Sequence, residues 1–308
     1  MVDSTVAAGA DFVKVYERLP LAAWRGIAAR AREVGVPFVG HVPQAVTVRE
    51  ASEARQRSIE HLTRFEYACQ RDERAARARR DALAADTGRT GALVRLALAD
   101  SLWAAADTAR SGGLYETLVR NGTWQVPTLT VLRAVATLDD TTQLADPRLR
   151  YIPRFVTASW NPARDVRFRA RPPEYWPSAR RAWAGQQAIV RNMLRANVPM
   201  LAGTDVANPY CLPGFSLHDE LQALVRLGAT PLRALRMATL DPARFLGATD
   251  SLGTVAAGKV ADLVVLDADP LANIAHTTRI HAVVANGRLH RRADLDVQLA
   301  AAAKAAGN

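Results

Sequence analysis

Val36-Pro37-Phe38-Val39-Gly40-His41-Val42-Pro43 and, further on, Ser58-Ile59-Glu60-His61-Leu62 are two short apolar runs, each ending on a histidine. The first, bounded by Gly35 and Pro43, has the apolar, partly β-branched character of a strand buried on both faces of a parallel sheet. The second is shorter. Between them Thr47-Val48-Arg49-Glu50 has the spacing of a capping box, which predicts a helix from about Val48 to Arg57. Strand, helix and strand make a βαβ unit, and such a unit brings the carboxyl ends of both strands to one side of the sheet. His41 and His61 would meet there. Two neutral imidazoles at neighbouring strand ends can ligate a metal, or each can hydrogen-bond in a polar layer above the core; the spacing leaves both readings open.

Outward from this unit, the chain continues the alternation. Asp11-Phe12-Val13-Lys14-Val15-Tyr16 is a strand with a lysine inside it, which either snorkels out at the strand end or joins the histidines. Leu21, Trp24, Ile27, Ala28, Ala31 and Val34 mark a helix stopped by Gly35. Residues 66–120 are Arg/Ala-rich, helical, and too long for a plain crossover. Thr123-Trp124-Gln125-Val126-Pro127-Thr128 reads as a fourth strand, and 131–182, with Trp160, Trp176 and Pro172-Pro173, as an ordered lid. Val198-Pro199-Met200-Leu201-Ala202-Gly203-Thr204-Asp205 is a fifth strand ending on an aspartate that caps a helix or faces the same mouth. Thr230-Pro231 and Asp241-Pro242 each read as a cap followed by proline at the first helical position. Beyond 250 the pattern turns to alternating β sequence from Leu252 to Leu266 and a hairpin around Asn286-Gly287, a small β module over 251–290. The tail, 291–308, reads as a surface helix or frayed end.

The 308 residues are 49% apolar and 23% charged, proportions of a globular protein. The net charge of +10 raises nucleic acid as a partner, but the arginines are scattered through alanine-rich helices and no groove-reading motif presents them. Nucleic acid and membrane are therefore not expected partners. No apolar run is long enough to span a bilayer, and Met1-Val2-Asp3-Ser4 does not begin a signal peptide, so localisation is left open. Cys69 and Cys211 fit no metal or redox spacing.

Five strands separated by helices, with Lys14, His41, His61 and Asp205 at their carboxyl ends, describe the active face of a (β/α)8 barrel. Phe-Val-Lys14-Val-Tyr, Gly-His41-Val-Pro, Ile-Glu-His61-Leu and Ala-Gly-Thr-Asp205 resemble metal-site motifs of the amidohydrolase superfamily, on its imidazolonepropionase-like and prolidase-like branch. Pro213 to Leu221, Ala238 to Ala243, Leu252 to Val255 and Gly258 to Leu263 extend the resemblance in the family's order. It implies a metal-dependent hydrolase of amide, peptide or cyclic-amide C–N bonds acting on small molecules. In that family the lysine is carboxylated and bridges two divalent metals, usually zinc. His41 and His61 would hold one metal, and Asp205 would bind the other and carry a proton to the leaving amine. Tyr210, Trp124, Arg64 and His218 are candidate substrate contacts near the mouth.

One departure qualifies this. The family's first strand carries a His-x-His pair, and no His-x-His occurs here. The expected fold is α/β, an incomplete barrel (its last five strands) over 1–250 with helical insertions at 66–120 and 131–182, plus part of a small β-sandwich. The three missing units would take about 90 residues at about 30 each, so the sequence reads as a form shortened before the fourth strand. Reduced metal binding and activity, pairing with a second copy through exposed strand edges, or a non-catalytic remnant of the fold follow as expectations.

Overall fold

The computed structural model describes residues 1–84, 88–106 and 111–307. In chain order the elements are α1 (Val2–Ala7), β1 (Val13–Val15), α2 (Leu21–Glu33), β2 (Phe38–Gly40), α3 (Val48–Glu53), β3 (Ser58–Glu60) and α4 (Phe65–Ala68). Then come α5 (Glu73–Ala84), α6 (Arg89–Ala104), α7 (Gly112–Asn121), β4 (Trp124–Val126), α8 (Leu129–Ala136), α9 (Arg154–Ser159) and α10 (Tyr175–Arg195). The last are α11 (Phe215–Arg226), α12 (Pro231–Met237), α13 (Leu240–Leu246), β5 (Leu263–Leu266), β6 (Ile280–Ala285), β7 (Arg288–Arg291) and α14 (Arg292–Ala305). The content is mixed α/β, as expected. Contacts divide the chain into two compact units, Met1–Pro127 with Pro172–Leu201, and Thr128–Arg171 with Ala202–Asn308.

In the first unit β1 and β2 pair in parallel, Val13 opposite Phe38 and Val15 opposite Gly40. β3 and β4 do the same, Ser58 opposite Trp124 and Glu60 opposite Val126. Between the pairs, the Arg57 N–H donates to Phe38 O (2.8 Å) at one end, and His41 lies beside His61 at the other, so β2 and β3 also run in parallel. A further parallel bridge joins Gln125 to Met200. The expected fifth strand is thus reduced to one bridge. Val15, Ile59 and Val198 are fully buried, while Lys14 stands on the open face between buried Val13 and Val15. Helix α2 buries Trp24, Ile27, Ala28 and Ala31, with Trp24 edge-on to Phe38 at 6.1 Å.

Two local devices set the strand ends. Thr47 and Glu50 form the expected capping box, each side chain accepting the other's backbone N–H (3.0 and 2.8 Å). The helix then stops at Glu53 rather than Arg57, because Arg55 turns left-handed (φ 69°) and sends buried Gln56 inward. Gln56 Nε2 donates to the carbonyls of Gly40 (3.1 Å) and Ser58 (3.0 Å), tying β2 to β3. At Gly40 the backbone has φ 115°, and a Cβ there would stand 2.4 Å from Val15 O. Only glycine allows that approach and the delivery of His41 beyond it.

The 66–120 stretch is helical in its described parts, with 85–87 and 107–110 outside them. In the second unit β5, β6 and β7 form an antiparallel sheet in sequence order. The Asn286-Gly287 turn has both residues left-handed (φ 51° and 72°), as a two-residue hairpin requires. The expected strand from Leu252 begins only at Leu263. Before it, Gly253 and Gly258 turn left-handed, and Lys259 Nζ pins the loop to Thr249 O (2.7 Å) and Thr254 Oγ1 (2.6 Å). Thr230 caps α12 as expected, accepting from the Arg233 N–H. Asp241 does not cap: α13 starts two residues earlier than expected, at Leu240 after Thr239, and Asp241 pairs within its first turn with Arg244 (2.9 Å). The tail is helical as α14.

Candidate metal centre

The hydrogen-bond ladder of the first unit delivers the two histidines. The His41 N–H donates to Val15 O and the His61 N–H to Val126 O (3.0 Å each), so each residue continues the parallel register past its strand end. Their rings meet edge to face with centroids 4.9 Å apart, and Tyr16 stacks on His41 at 4.1 Å. Tyr16 comes from the same strand face as Lys14, two residues on.

Glu60, the last residue of β3, completes the group. One ligand atom from each of His41, Glu60 and His61 lies within 4.8 Å of the others. Glu60 Oε2 is 3.8 Å from His61 Nε2 and 2.7 Å from Lys14 Nζ. His41 is only 8% exposed, yet neither ring nitrogen has a hydrogen-bond partner among the described residues. Burial, followed by the neighbouring His61, lowers its pKa to about 4, so the ring is held neutral. An unpaired buried imidazole costs free energy unless something accepts its lone pair. A borderline cation does so, and two imidazoles with a carboxylate are a donor set that zinc and its neighbours take. The residues present therefore fit a divalent cation.

The chain around the site is strained. His61, Leu62 and Arg64 all have positive φ (57°, 52° and 71°), a conformation rare for side-chain-bearing residues and concentrated at functional positions. Thr63 Oγ1 accepts the Val42 N–H (3.0 Å) and Arg64 Nε donates to Val42 O (3.3 Å), binding this turn to the segment after His41.

Of the residues singled out from sequence, Lys14, His41 and His61 come together, and Arg64 stands on the turn beside them. Trp124 does not: it opens β4 opposite Ser58, at the other end of the strands from His61, and lines a cavity with Ala28, Gly35 and Phe38. Asp205, Tyr210 and His218 belong to the second unit. There Asp205 is exposed, left-handed (φ 51°), and accepts from Asn208 Nδ2 (2.8 Å). Tyr210 packs on Trp160 (5.2 Å) and on the cluster of Val131, Ala134 and Cys211. His218 Nδ1 pairs with Thr277 Oγ1 (3.0 Å), and burial lowers its pKa. Sequence reasoning missed Glu60 as a donor. The signal was present in Ile-Glu-His-Leu, where a carboxylate precedes a strand-end histidine, but a lone glutamate there is usually a solvated residue.

Comparison with known proteins bears on the family and the fold. Imidazolonepropionase of Klebsiella pneumoniae (strain 342) is 41% identical over 81 residues, 26% of this chain and 20% of its own. Among solved structures, a bottromycin amidohydrolase matches 99% of this chain and 61% of its own with a TM-score of 0.67 at 24% identity. A Xaa-Pro dipeptidase with bound methionine matches 94% of this chain and 56% of its own with a TM-score of 0.57 at 17% identity. At such identities the structures speak for the fold, and the chain spans about three fifths of their length. The profile of the amidohydrolase family matches residues 18–290, most of the sequence and every strand from β2 to β6, and on that extent of agreement the chain belongs to the amidohydrolase family.

Proposed function

We propose that this chain holds a divalent cation on His41, Glu60 and His61, and that hydrolysis of an amide, peptide or cyclic-amide C–N bond takes place there. The observation that carries the proposal is the buried His41 ring with both nitrogens unpartnered. A bound divalent ion would supply Lewis-acid polarisation of the scissile carbonyl and activation of a water. The chain's own contribution is to keep the His41 ring neutral by burial, to orient it between Tyr16 and His61, and to place the Glu60 carboxylate beside both the His61 ring and Lys14. Zinc is the preferred ion for two imidazoles and a carboxylate. Lys14 and Asp205 remain proposed members of a binuclear site through the family resemblance, with Asp205 as the carrier of a proton to the leaving amine.

The parallel series β1, β2, β3, β4 and the Met200 bridge supports reading the fold as the last five strands of a (β/α)8 barrel. A second reading, a family member that does not catalyse, is favoured by one contact: the Lys14 ammonium already neutralises Glu60 at 2.7 Å. Zinc, manganese and iron per chain, measured on fresh protein and followed by a screen of dipeptides, N-acyl amino acids and cyclic amides, separates the two. Metal uptake with metal-dependent hydrolysis supports the first; neither uptake nor turnover sinks it.

A further inference from the structure

Helices α5 and α6, which follow the histidine strands, pack together and are tied to the first unit at two places. Tyr67, Leu98 and Leu102 form an apolar cluster against which Ala76 and Leu83 of α5 pack, and Gln70 Nε2 donates to Leu102 O (2.7 Å). The first tie runs to α10. Asp100 of α6 accepts from Ser178 Oγ (2.7 Å) and pairs with Arg181, and Gly185 leaves room for Trp103 where a Cβ would stand 2.5 Å from its ring. Toward the strand ends the packing is open: a cavity of about 350 Å³, lined by Arg64, Arg80, Arg95 and His61 among others, separates the helices from the histidine turn. The hold on that side therefore falls to polar side chains that reach across.

The second tie is made by Arg77. Its side chain is only 13% exposed, on a helix that also carries Arg74, Arg79 and Arg80. Arg77 Nη1 donates to Val46 O (2.8 Å) and Nη2 to Gln44 O (2.6 Å), so one planar fork takes two main-chain oxygens of one turn. Such charge-assisted pairs are strong and geometrically specific. Glu73, one helical turn earlier, stands 3.5 Å from Nη1. Arg80 reaches the Gln44 carbonyl only at 3.4 Å and is engaged by Asp81 at 2.6 Å. The clamped turn begins directly after His41. Val42 and Val46 anchor it and are fully buried, while Gln44 and Ala45 are exposed between them. At its near end Thr63 and Arg64 hold Val42, and Glu17 O takes the Gln44 N–H (2.9 Å).

We propose that Arg77 is a positioning residue for the candidate metal centre: by clamping the Gln44 and Val46 carbonyls it fixes the turn after His41 and keeps the His41 ring seated beside Tyr16 and His61. The proposal rests on the cation site described above and gives the helices of residues 73–104 a part in forming it. Because the grip is on main-chain oxygens, it is indifferent to the side chains at 44 and 46.

The test compares the full native chain with Arg77→Ala, Arg77→Lys and Asp100→Asn, the last weakening the tie to α10 instead, all well below their melting temperatures. The first readout needs no metal: the rate at which diethyl pyrocarbonate modifies His41 in chelator-treated protein, resolved from His61 by peptide mass. The second is zinc affinity by calorimetry. Arg77→Ala is expected to speed modification about tenfold and to weaken zinc about tenfold, the low end for a residue that supports a ligand. Arg77→Lys should recover part of each, since a point charge replaces the fork, and Asp100→Asn should match the native chain in both. An arginine that only anchors a helix would lower the melting temperature and leave both readouts alone. Native values of either readout in Arg77→Ala, or equal changes in Arg77→Ala and Asp100→Asn, would overturn the inference. If Arg77→Ala does not fold, Arg77→Met, which keeps the apolar stem and removes the donors, takes its place. A native chain that takes up no zinc sinks the proposed hydrolase, and the modification rate then decides the role of Arg77 by itself.

Discussion

His41 in the first unit and Glu220 in the second are both buried, 8% and 0% exposed, and both belong to a residue type that rarely goes inside without a partner. Their surroundings differ. Each Glu220 oxygen accepts a backbone N–H from the start of α8, Leu129 at 2.9 Å and Thr130 at 2.8 Å, so the side chain stitches α11 to α8. Neither nitrogen of His41 has a hydrogen-bond partner among the described residues. A buried polar group whose partners are all supplied by the chain is structural; a buried imidazole with no such partner, at a strand end beside another histidine and a carboxylate, is the group on which the proposed cation site rests.

The strongest way to break that comparison is cation binding. His41→Ala should weaken zinc or manganese uptake by roughly 100-fold or more, while Glu220→Gln leaves it unchanged; equal uptake by His41→Ala and the native chain would remove His41 from the site. Next in size is stability without metal. Glu220→Leu strands two backbone N–H groups and should cost about 2–5 kcal/mol in urea unfolding. His41→Leu strands nothing, and should be neutral or stabilising within about 1 kcal/mol. Similar losses in the two variants would mean that His41 has a partner after all.

The pH dependence sharpens the same contrast, because the two groups titrate with opposite sign. The His41 pKa is depressed from 6.5 to about 4, so below 6.5 the unfolded chain binds the extra proton. Its contribution is therefore fully present above 6.5 and lost as pH falls toward 4. The Glu220 pKa is raised from 4.5 to about 7 by burial, against the pull of its backbone hydrogen bonds. Here the folded chain keeps the proton, and the contribution is present below 4.5 and lost as pH rises through 7. Each limb should amount to about 1–3 kcal/mol. Metal-free stability followed across that range should lose its acid limb in His41→Leu and its neutral limb in Glu220→Gln. The smallest effect is a control on the scaffold: Thr47→Ala removes the capping box of α3 and should cost about 0.5–2 kcal/mol, without changing metal stoichiometry.

Much of this was legible in sequence, and the reasons are local. The capping box at Thr47, the stop of α2 at Gly35 and the Asn286-Gly287 turn follow from side-chain and backbone preferences acting over a few residues. What was misread turned on choices that local preference leaves degenerate. Arg55 is an ordinary helix former, and only the need to send Gln56 inward between β2 and β3 turns it left-handed. Trp124 and His61 both flank apolar strands, but the register of β4 against β3 puts them at opposite ends. Tyr210, a candidate substrate contact in sequence, packs on Trp160, and an aromatic in a rigid loop serves burial as well as binding.

The sequence by itself determined the family pattern, the parallel βαβ unit and the identity of the two histidines, because strand, helix and turn signals are written in neighbouring residues. Tertiary structure alone decided that Glu60 joins them, that Lys14 turns to Glu60, that three arginines from separate segments share one cavity, and that the His41 nitrogens find no hydrogen-bond partner among the described residues. Those facts depend on which groups burial brings together across long stretches of chain and which it leaves unmatched, and no short-range preference encodes that.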